Sequence, residues 1–329
     1  MFLVIILFSK IVARQGKWPC GLRKQIRSPT ICGHFTRMSS STPHSPLNLW
    51  LQAIRPKTLW AGFAPVLISA ALAHADGGFH AGIALACLGV ALSLQIGCNL
   101  ANDYYDAISG ADSAERLGPT RVTQAGLISP AAVRRGFVIA FAISAILGVA
   151  LFFRGGWPIL ALLVASIASG ILYTAGPWPL GYIGLGDLFA FLFFGPVAVA
   201  GTYFLITLTL PDHALLAGVA PGLFSVAILS VNNLRDIHSD RAAGKRTLAV
   251  RWGARFTRAE YAVAIIGACA VPLGIAHRGG CLACIVLIPG LLSIRALHRK
   301  TGAELNAVLA NTAKLLLLFS LLFAVGLLL

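Results

Sequence analysis

A series of long apolar runs constrains this chain more than any other feature. Near 59–75, 81–102, 133–153, 157–175, 184–206, 214–233, 259–277, 281–297 and 311–329 the sequence carries few charges over about the twenty residues that cross a bilayer. Soluble proteins with buried helices keep a polar helix face, and these runs have none. In hydrocarbon each backbone polar group must be satisfied within its own segment, so such runs fold as helices. The expected fold is all-α: a polytopic membrane bundle of about nine transmembrane helices around a cavity open to the cytoplasmic side. Composition agrees, with 57% hydrophobic and 11% charged residues against roughly a quarter charged in soluble domains.

The net charge of +15 does not point to nucleic acid. Nine of the 26 basic residues precede Trp60 and seven fall between Arg235 and Arg258, beside spans, where such residues orient helices and meet acidic lipid heads. No basic face rich in aromatics offers base stacking. The polar loops after the second and sixth runs carry the basic residues, whereas those around Asp76 and Asp212 carry no Lys or Arg. Positive-inside counting puts the N-terminus, both basic loops and the Arg295–Lys300 loop in the cytoplasm, and nine spans leave the C-terminus outside.

Residues 1–45 differ from the rest of the chain. Met1–Leu7 is apolar but too short to span, and Lys10, Arg14, Lys17, Arg23, Lys24, Arg27 and Arg37 interrupt the remainder of the segment. A signal peptide would put its charges before a longer apolar core. Two readings stand: a gene-model extension with translation starting at Met38, or a basic arm binding anionic lipid. The seven cysteines are scattered, and the lone Cys281-x-x-Cys284 has no second pair or following His, so buried free thiols are expected rather than zinc.

Two segments carry the chemistry. Asn99-Leu-Ala-Asn102-Asp103-Tyr-Tyr-Asp106, followed by Asp112, closes the second run; Asn232-Asn-Leu-Arg-Asp236-Ile-His-Ser-Asp240 closes the sixth. Five of the chain's eleven carboxylates lie in them. Spacings of three or four put Asn99 over Asp103, Asn102 over Asp106, and Asn232 over Asp236 and Asp240 on helix faces. Clustered carboxylates repel each other unless a cation sits among them. Mg2+, with all-oxygen ligands and a habit of sharing itself with phosphates, suits them. Asp103 and Asp236 are 133 positions apart, each near the same end of an even-numbered span, so two halves are expected to face one another across a cavity.

Arg121 lies downstream of the first cluster, and Lys245 and Arg246 downstream of the second. Metals bridging diphosphate oxygens, with these residues on the remaining charge, would stabilise a departing diphosphate. A diphosphate head at the membrane surface with a tail among apolar helices describes an isoprenyl diphosphate. Its allylic cation needs a dry pocket with π faces, and Tyr104, Tyr105, Tyr173, Trp178 and Tyr182 are the candidates, Trp178 fitting the interfacial aromatic belt as well.

From about Leu51 onward the chain resembles the UbiA-type intramembrane aromatic prenyltransferase superfamily, and within it the branch that acts on 1,4-dihydroxy-2-naphthoate in menaquinone biosynthesis. The resemblance is carried by Arg55-Pro-Lys57-Thr58, Asn102-Asp-Tyr-Tyr-Asp106 with Gly110 and Asp112, and Gly118-Pro-Thr-Arg121 with Gln124 and Gly126. It continues through Tyr173-Thr-Ala-Gly-Pro177, Gly184-Leu-Gly-Asp187, Phe194-Gly-Pro196, and Asn232-Asn-Leu-Arg-Asp236 with Asp240, Gly244, Lys245 and Thr247. Two departures matter. Gly110 stands where the ubiquinone branch has a third Asp, which argues against 4-hydroxybenzoate as acceptor, and Asp187 stands where many of this branch have Glu, leaving its role open.

The resemblance implies an enzyme in which Mg2+ held by Asp103, Asp106, Asp236 and Asp240 ionises a polyprenyl diphosphate. The naphthoate ring then attacks, and carbon dioxide is lost, giving demethylmenaquinone. Tyr173 joins the four acids as catalytic. Asn99, Asn102, Asp112, Arg121, Gln124, Asn232, Lys245, Arg246, Asp187, Arg55 and Lys57 are implied in substrate binding. It further implies a bacterial cytoplasmic (inner) membrane protein with its site on the cytoplasmic side, in a domain running from 46 to 329. The alternatives are the same chemistry on homogentisate, 4-hydroxybenzoate or a porphyrin-derived alcohol, and a transporter using the paired acids. A transporter would place its site near the midplane on broken helices, whereas both clusters lie at one surface.

Overall fold

The computed structural model describes residues 45–110, 117–275 and 277–329; the N-terminal arm, the start proposed at Met38, and Asp112 lie outside them. Every described element is helical. Twelve α-helices follow one another: α1 (Pro46–Ile54), α2 (Pro56–Ala75), α3 (Ala81–Ser109), α4 (Pro130–Gly155), α5 (Trp157–Leu172), α6 (Gly186–Phe194), α7 (Pro196–Thr207), α8 (Asp212–Arg235), α9 (Ile237–Ala242), α10 (Leu248–Ala270), α11 (Leu287–Arg299) and α12 (Leu305–Leu328), with 3-10 turns at Val271–Gly274, Arg278–Val286 and Gly302–Glu304.

Local sequence sets the boundaries. Pro46, Pro56, Pro130 and Pro196 each open a helix, where the missing N–H has no intrahelical acceptor to lose. Ser45, Ser129 and Thr247 accept backbone N–H groups of Asn48, Ala132 and Val250, as N-cap side chains do. Pro56 also disfavours helical backbone at the residue before it, and Arg55 takes a left-handed φ of 56° that turns α1 into α2.

Among the described residues eight segments are long and apolar enough to cross a membrane: Pro56–Ala75, Ala81–Ser109, Pro130–Gly155, Gly186–Thr207, Asp212–Arg235, Leu248–Gly274, Arg278–Arg299 and Gly302–Leu328. The fourth apolar run forms α5, whose 16 residues rise only about 24 Å, short of a roughly 30 Å hydrocarbon core. Gly186–Thr207 is two helices, broken at Gly195-Pro196. A Cβ on Gly195 would collide with the Phe191 carbonyl oxygen and lie 2.7 Å from that of Gly218, so this glycine lets α6 and α7 meet the backbone of α8. The segments holding the seventh and ninth runs begin at Leu248 and Gly302, before the runs themselves, because residues around Trp252 and Asn306 extend α10 and α12 into the polar zone.

Packing follows the lipid rule that polar side chains bridge helices where they can. Ser93 and Ser144 join α3 to α4 at 2.7 Å, and Tyr261 and Thr312 join α10 to α12 at 2.9 Å. Large apolar side chains on α4, including Ile139, Ile146 and Phe153, stay exposed and face the place of the acyl chains. One core joins α2, α7, α8, α10 and α12 around Phe224 and Phe319; a second joins α1, α3 and α4 around Phe137. Between them lies a cavity.

Candidate active site

The cavity holds about 590 Å³ and is lined from α2 through α8 and by α12. Its deep part is apolar, walled by Val66, Val90, Leu151, Ile159, Leu163 and Leu205. At the other end stand the carboxylates of the two motifs. α3 delivers Asp103 and Asp106 in its last two turns, and α8 delivers Asp236 at its C-cap, with Asp240 one turn later on α9. All four are buried, which costs much unless each charge is compensated.

Compensation comes from cations and hydroxyls. Asp106 accepts from Arg121 Nη2 at 2.8 Å and from the Tyr182 hydroxyl at 3.0 Å. Asp103 accepts from Thr123 Oγ1 at 2.9 Å and from its backbone N–H at 3.3 Å. Arg235 grips Asp236 through Nε and Nη2 at 2.8 and 2.5 Å, while Nη1 donates to Asn306 on α12 at 2.7 Å. Lys245 Nζ stands 3.6 Å from Asp240 and 4.0 Å from Asp106, and 4.7 Å from the centre of the Tyr182 ring. One ammonium thus joins the two motifs. Burial, with Asp236 and Asp106 nearby, pushes the Asp240 carboxyl up to about 6, against the pull of Lys245.

Backbone contacts fix that ammonium in place. Arg246 N–H donates to the Tyr182 carbonyl at 2.7 Å, and a Cβ on Gly184 would lie 2.8 Å from the Arg246 carbonyl oxygen. Gly184 therefore lets the loop before α6 lie against the segment after α9, which sets Tyr182 beside Lys245.

Of the residues singled out in the sequence, Asp106, Asp236, Asp240, Asn99, Asn102, Asn232, Arg121, Lys245, Arg55, Lys57 and Tyr173 all line the cavity. Asn99 also has a structural duty, donating to Ile54 O and to Thr58 Oγ1 at 2.8 Å each across the α1–α2 turn. Asn102 accepts from Thr174 at 2.9 Å, and Asn232 accepts from Arg235 at 2.7 Å. Asp103 is buried just behind the wall. Gln124 and Arg246 are exposed, outside the lining. Asp187 is buried behind Tyr173, also off the wall, with no hydrogen bond to its Oδ1.

Of the five aromatic candidates only Tyr173 and Tyr182 reach the cavity. Tyr104 and Tyr105 pack on Phe137 in the second core, and Trp178 is exposed. The cavity's other rings include Phe189 and Phe193, stacked with centroids 5.8 Å apart on successive turns of α6. Arg235 was legible as a member of Asn232-Asn-Leu-Arg-Asp236, but its grip on Asp236 was not; Asn306 had no signal in the sequence.

These carboxylates supply an all-oxygen donor set, and Asp106 and Asp240 already converge on a single cation, the Lys245 ammonium. That is the chemistry a hard divalent ion needs. Among the described residues no three acids stand together closely enough to hold a metal ion; Asp106 and Asp240, which share the Lys245 ammonium, are the pair whose chemistry suits Mg2+.

Residues 62–318 match the UbiA prenyltransferase family. The chain belongs to that family. It is 36% identical over 291 residues to the 1,4-dihydroxy-2-naphthoate octaprenyltransferase of Escherichia coli K12, covering 84% of this chain and 94% of that one. It is 38% identical over 282 residues to the enzyme of the same description from Mycobacterium tuberculosis, covering 83% and 94%. Among solved structures, a UbiA homolog from Archaeoglobus fulgidus bound to GPP and Mg2+ superposes with a TM-score of 0.57 at 14% identity, over 85% of this chain and 100% of that one. The family fold thus persists where sequence identity is low.

Proposed function

We propose that this protein is an Mg2+-dependent prenyltransferase of menaquinone biosynthesis. It transfers a polyprenyl group from polyprenyl diphosphate to 1,4-dihydroxy-2-naphthoate and releases carbon dioxide and diphosphate. The observation that carries the reading is the junction of the two acidic motifs at Lys245, at the mouth of an apolar cavity. The similarity to naphthoate octaprenyltransferases over most of both chains supports that acceptor.

Asp106 and Asp240, with Asp103 and Asp236, would hold Mg2+, which neutralises charge on the departing diphosphate. Lys245 and Arg121 supply cationic donors at the same end. The deep wall of aliphatic side chains takes the isoprenoid tail and excludes water from the allylic cation. Tyr173, Tyr182 and the Phe189–Phe193 stack offer π faces to that cation. Orientation does much of the rest, since two substrates held in one cavity react as one.

The atoms balance without a base. The C–O bond to diphosphate breaks with its electron pair on oxygen, and the ring forms the new C–C bond. The acceptor's carboxylate leaves as carbon dioxide, its bonding pair staying with the ring. The immediate product is therefore the quinol of demethylmenaquinone, which a later oxidation converts to the quinone. The distribution of basic loops supports an orientation with this end of the domain, residues 46–329, on the cytoplasmic face of a bacterial inner membrane; with the short α5 counted beside the eight long segments, the odd number of crossings puts the C-terminus outside.

Membranes carrying the protein, incubated with Mg2+, labelled prenyl diphosphate and either 1,4-dihydroxy-2-naphthoate, homogentisate or 4-hydroxybenzoate, test the reading. Prenylated product from the naphthoate above the other two is the expected result. Product from another acceptor alone would overturn the acceptor, and none from any would overturn the chemistry.

A further inference from the structure

One polar side chain on the cavity wall lacks the bonds its neighbours have. Gln95 sits on α3 one turn before Asn99, on the stripe Cys87, Ala91, Gln95, Asn99, Asn102 and Asp106 that faces the cavity. It is 8% exposed, and its Oε1 accepts no hydrogen bond. Several other polar groups of the wall have partners: Ser166 donates to Leu162 O, Ser225 donates to Pro221 O, Asn99 donates to Ile54 O, and Asn102 accepts from Thr174. A buried amide oxygen in apolar surroundings pays its desolvation with no return.

The neighbouring helix packs closely on its stem. Gly62 on α2 faces Gln95; a Cβ there would lie 3.7 Å from Gln95 Cβ and 3.2 Å from the Ala91 carbonyl oxygen. Because Gly62 has no side chain, α2 can approach α3 closely beside the stem of Gln95.

The lone pair needs an O–H or N–H donor, and the two substrates differ in what they offer. Beyond its diphosphate a prenyl donor is hydrocarbon. The aromatic acceptor has two hydroxyls. The one beside the carboxylate is bonded internally to it, as in any ortho-hydroxy acid, so the free donor is the hydroxyl at position 4. We propose that Gln95 Oε1 accepts the hydrogen bond of that hydroxyl and so positions the acceptor ring in the cavity, one helical turn deeper than Asn99. The inference rests on the reading of the site as prenyl transfer to a dihydroxynaphthoate. Gln95 is a positioning and specificity residue under it: a site built around a substrate hydroxyl discriminates against analogues that lack it.

The test uses purified full-length protein, kept reduced, with two probes: 1,4-dihydroxy-2-naphthoate and 1-hydroxy-2-naphthoate, which lacks the free hydroxyl. Equilibrium binding is measured for wild type and for Gln95→Leu, of similar length but without the lone pair. The expected result is about tenfold tighter binding of the dihydroxy compound by wild type, near the worth of one hydrogen bond, and no preference in Gln95→Leu. The variant's KM for prenyl diphosphate should stay within about twofold of wild type, and its melting temperature should not fall. If Gln95→Leu keeps the tenfold preference, or weakens both naphthoates equally, the proposal is wrong and the amide merely meets solvent. If wild type binds neither naphthoate, the acceptor reading itself fails and this inference falls with it.

Discussion

The two ends of the helical bundle each carry carboxylates tied to side chains from several segments, and they are built differently. At one end stand Asp106 and Asp240 with Lys245 and Arg121. At the other, Asp76 accepts from the Tyr203 hydroxyl at 2.6 Å and lies 2.8 Å from His213 Nε2 and 3.2 Å from His277 Nε2. Asp76 has both oxygens engaged by side chains from three segments and lies outside the cavity lining. It is a clasp. The motif carboxylates rest on permanently charged Arg and Lys side chains that line a cavity of about 590 Å³. Donor chemistry is similar at both ends; access to a cavity separates a site from a structural tie.

That comparison breaks most readily at the acids themselves. Asp106→Asn or Asp240→Asn should lower turnover by at least about a hundredfold, the scale of losing charge stabilisation in a dry site, with the protein still folded in the membrane. Chelation with EDTA should stop the reaction and Mg2+ restore it. By contrast Asp76→Asn should leave turnover within about twofold. Comparable activity loss at both ends would erase the distinction. Product formation in membranes from the three variants is the measurement.

A smaller effect is expected at Lys245, which ties the two motifs and lies beside the left-handed Gly244 (φ 75°). Lys245→Ala should raise KM for prenyl diphosphate about tenfold, as expected for losing one charged hydrogen bond, and raise the share of free prenyl alcohol as water reaches the cation. Lys245→Arg should retain part of the binding, since the charge persists while its geometry changes. Alcohol and prenylated quinol quantified in one reaction separate this from a role in orientation alone, which would leave the ratio unchanged.

The smallest effect is on stability at the clasp. Burial opposes the charged form of Asp76, but Tyr203, His213 and His277 outweigh it and hold the carboxyl below its ordinary 3.8. A depressed carboxyl stabilises the fold above its unfolded value and loses that contribution as pH falls through the folded one. Asp76→Asn should therefore lower the melting point slightly at pH 7, water screening the exposed pair, and the gap between variant and wild type should close below about pH 4. A gap that persists at low pH would mean the clasp does not work through charge.

The sequence made the membrane bundle, the two acidic motifs and most cavity residues legible, because hydropathy and i, i+4 spacing act locally. Less legible was whatever depends on two distant segments meeting. Gly195-Pro196 splits a run that reads as one span, since the break is set by contact with Gly218. Tyr104 and Tyr105 adjoin the first motif yet point to a different core, because the helix that brings Asp103 and Asp106 to the cavity turns those rings towards α4. Tyr182 reads as a π face, and only the loop contact with Arg246 reveals that it also binds Asp106. Gln95 repeats the spacing of the motif one turn earlier, but that its Oε1 has no hydrogen-bond partner shows only in the folded packing.

The central claim, that one cavity joins prenyl transfer to loss of the acceptor's carboxyl group, is tested most directly by counting both products together. Purified protein is given Mg2+, prenyl diphosphate and 1,4-dihydroxy-2-naphthoate labelled in the carboxyl carbon, and released carbon dioxide is measured against prenylated naphthoquinol. One carbon dioxide for each prenylated ring in wild type, and neither from Asp106→Asn, is the predicted result. Prenylated product that keeps its label, or carbon dioxide released without prenylation, would contradict it.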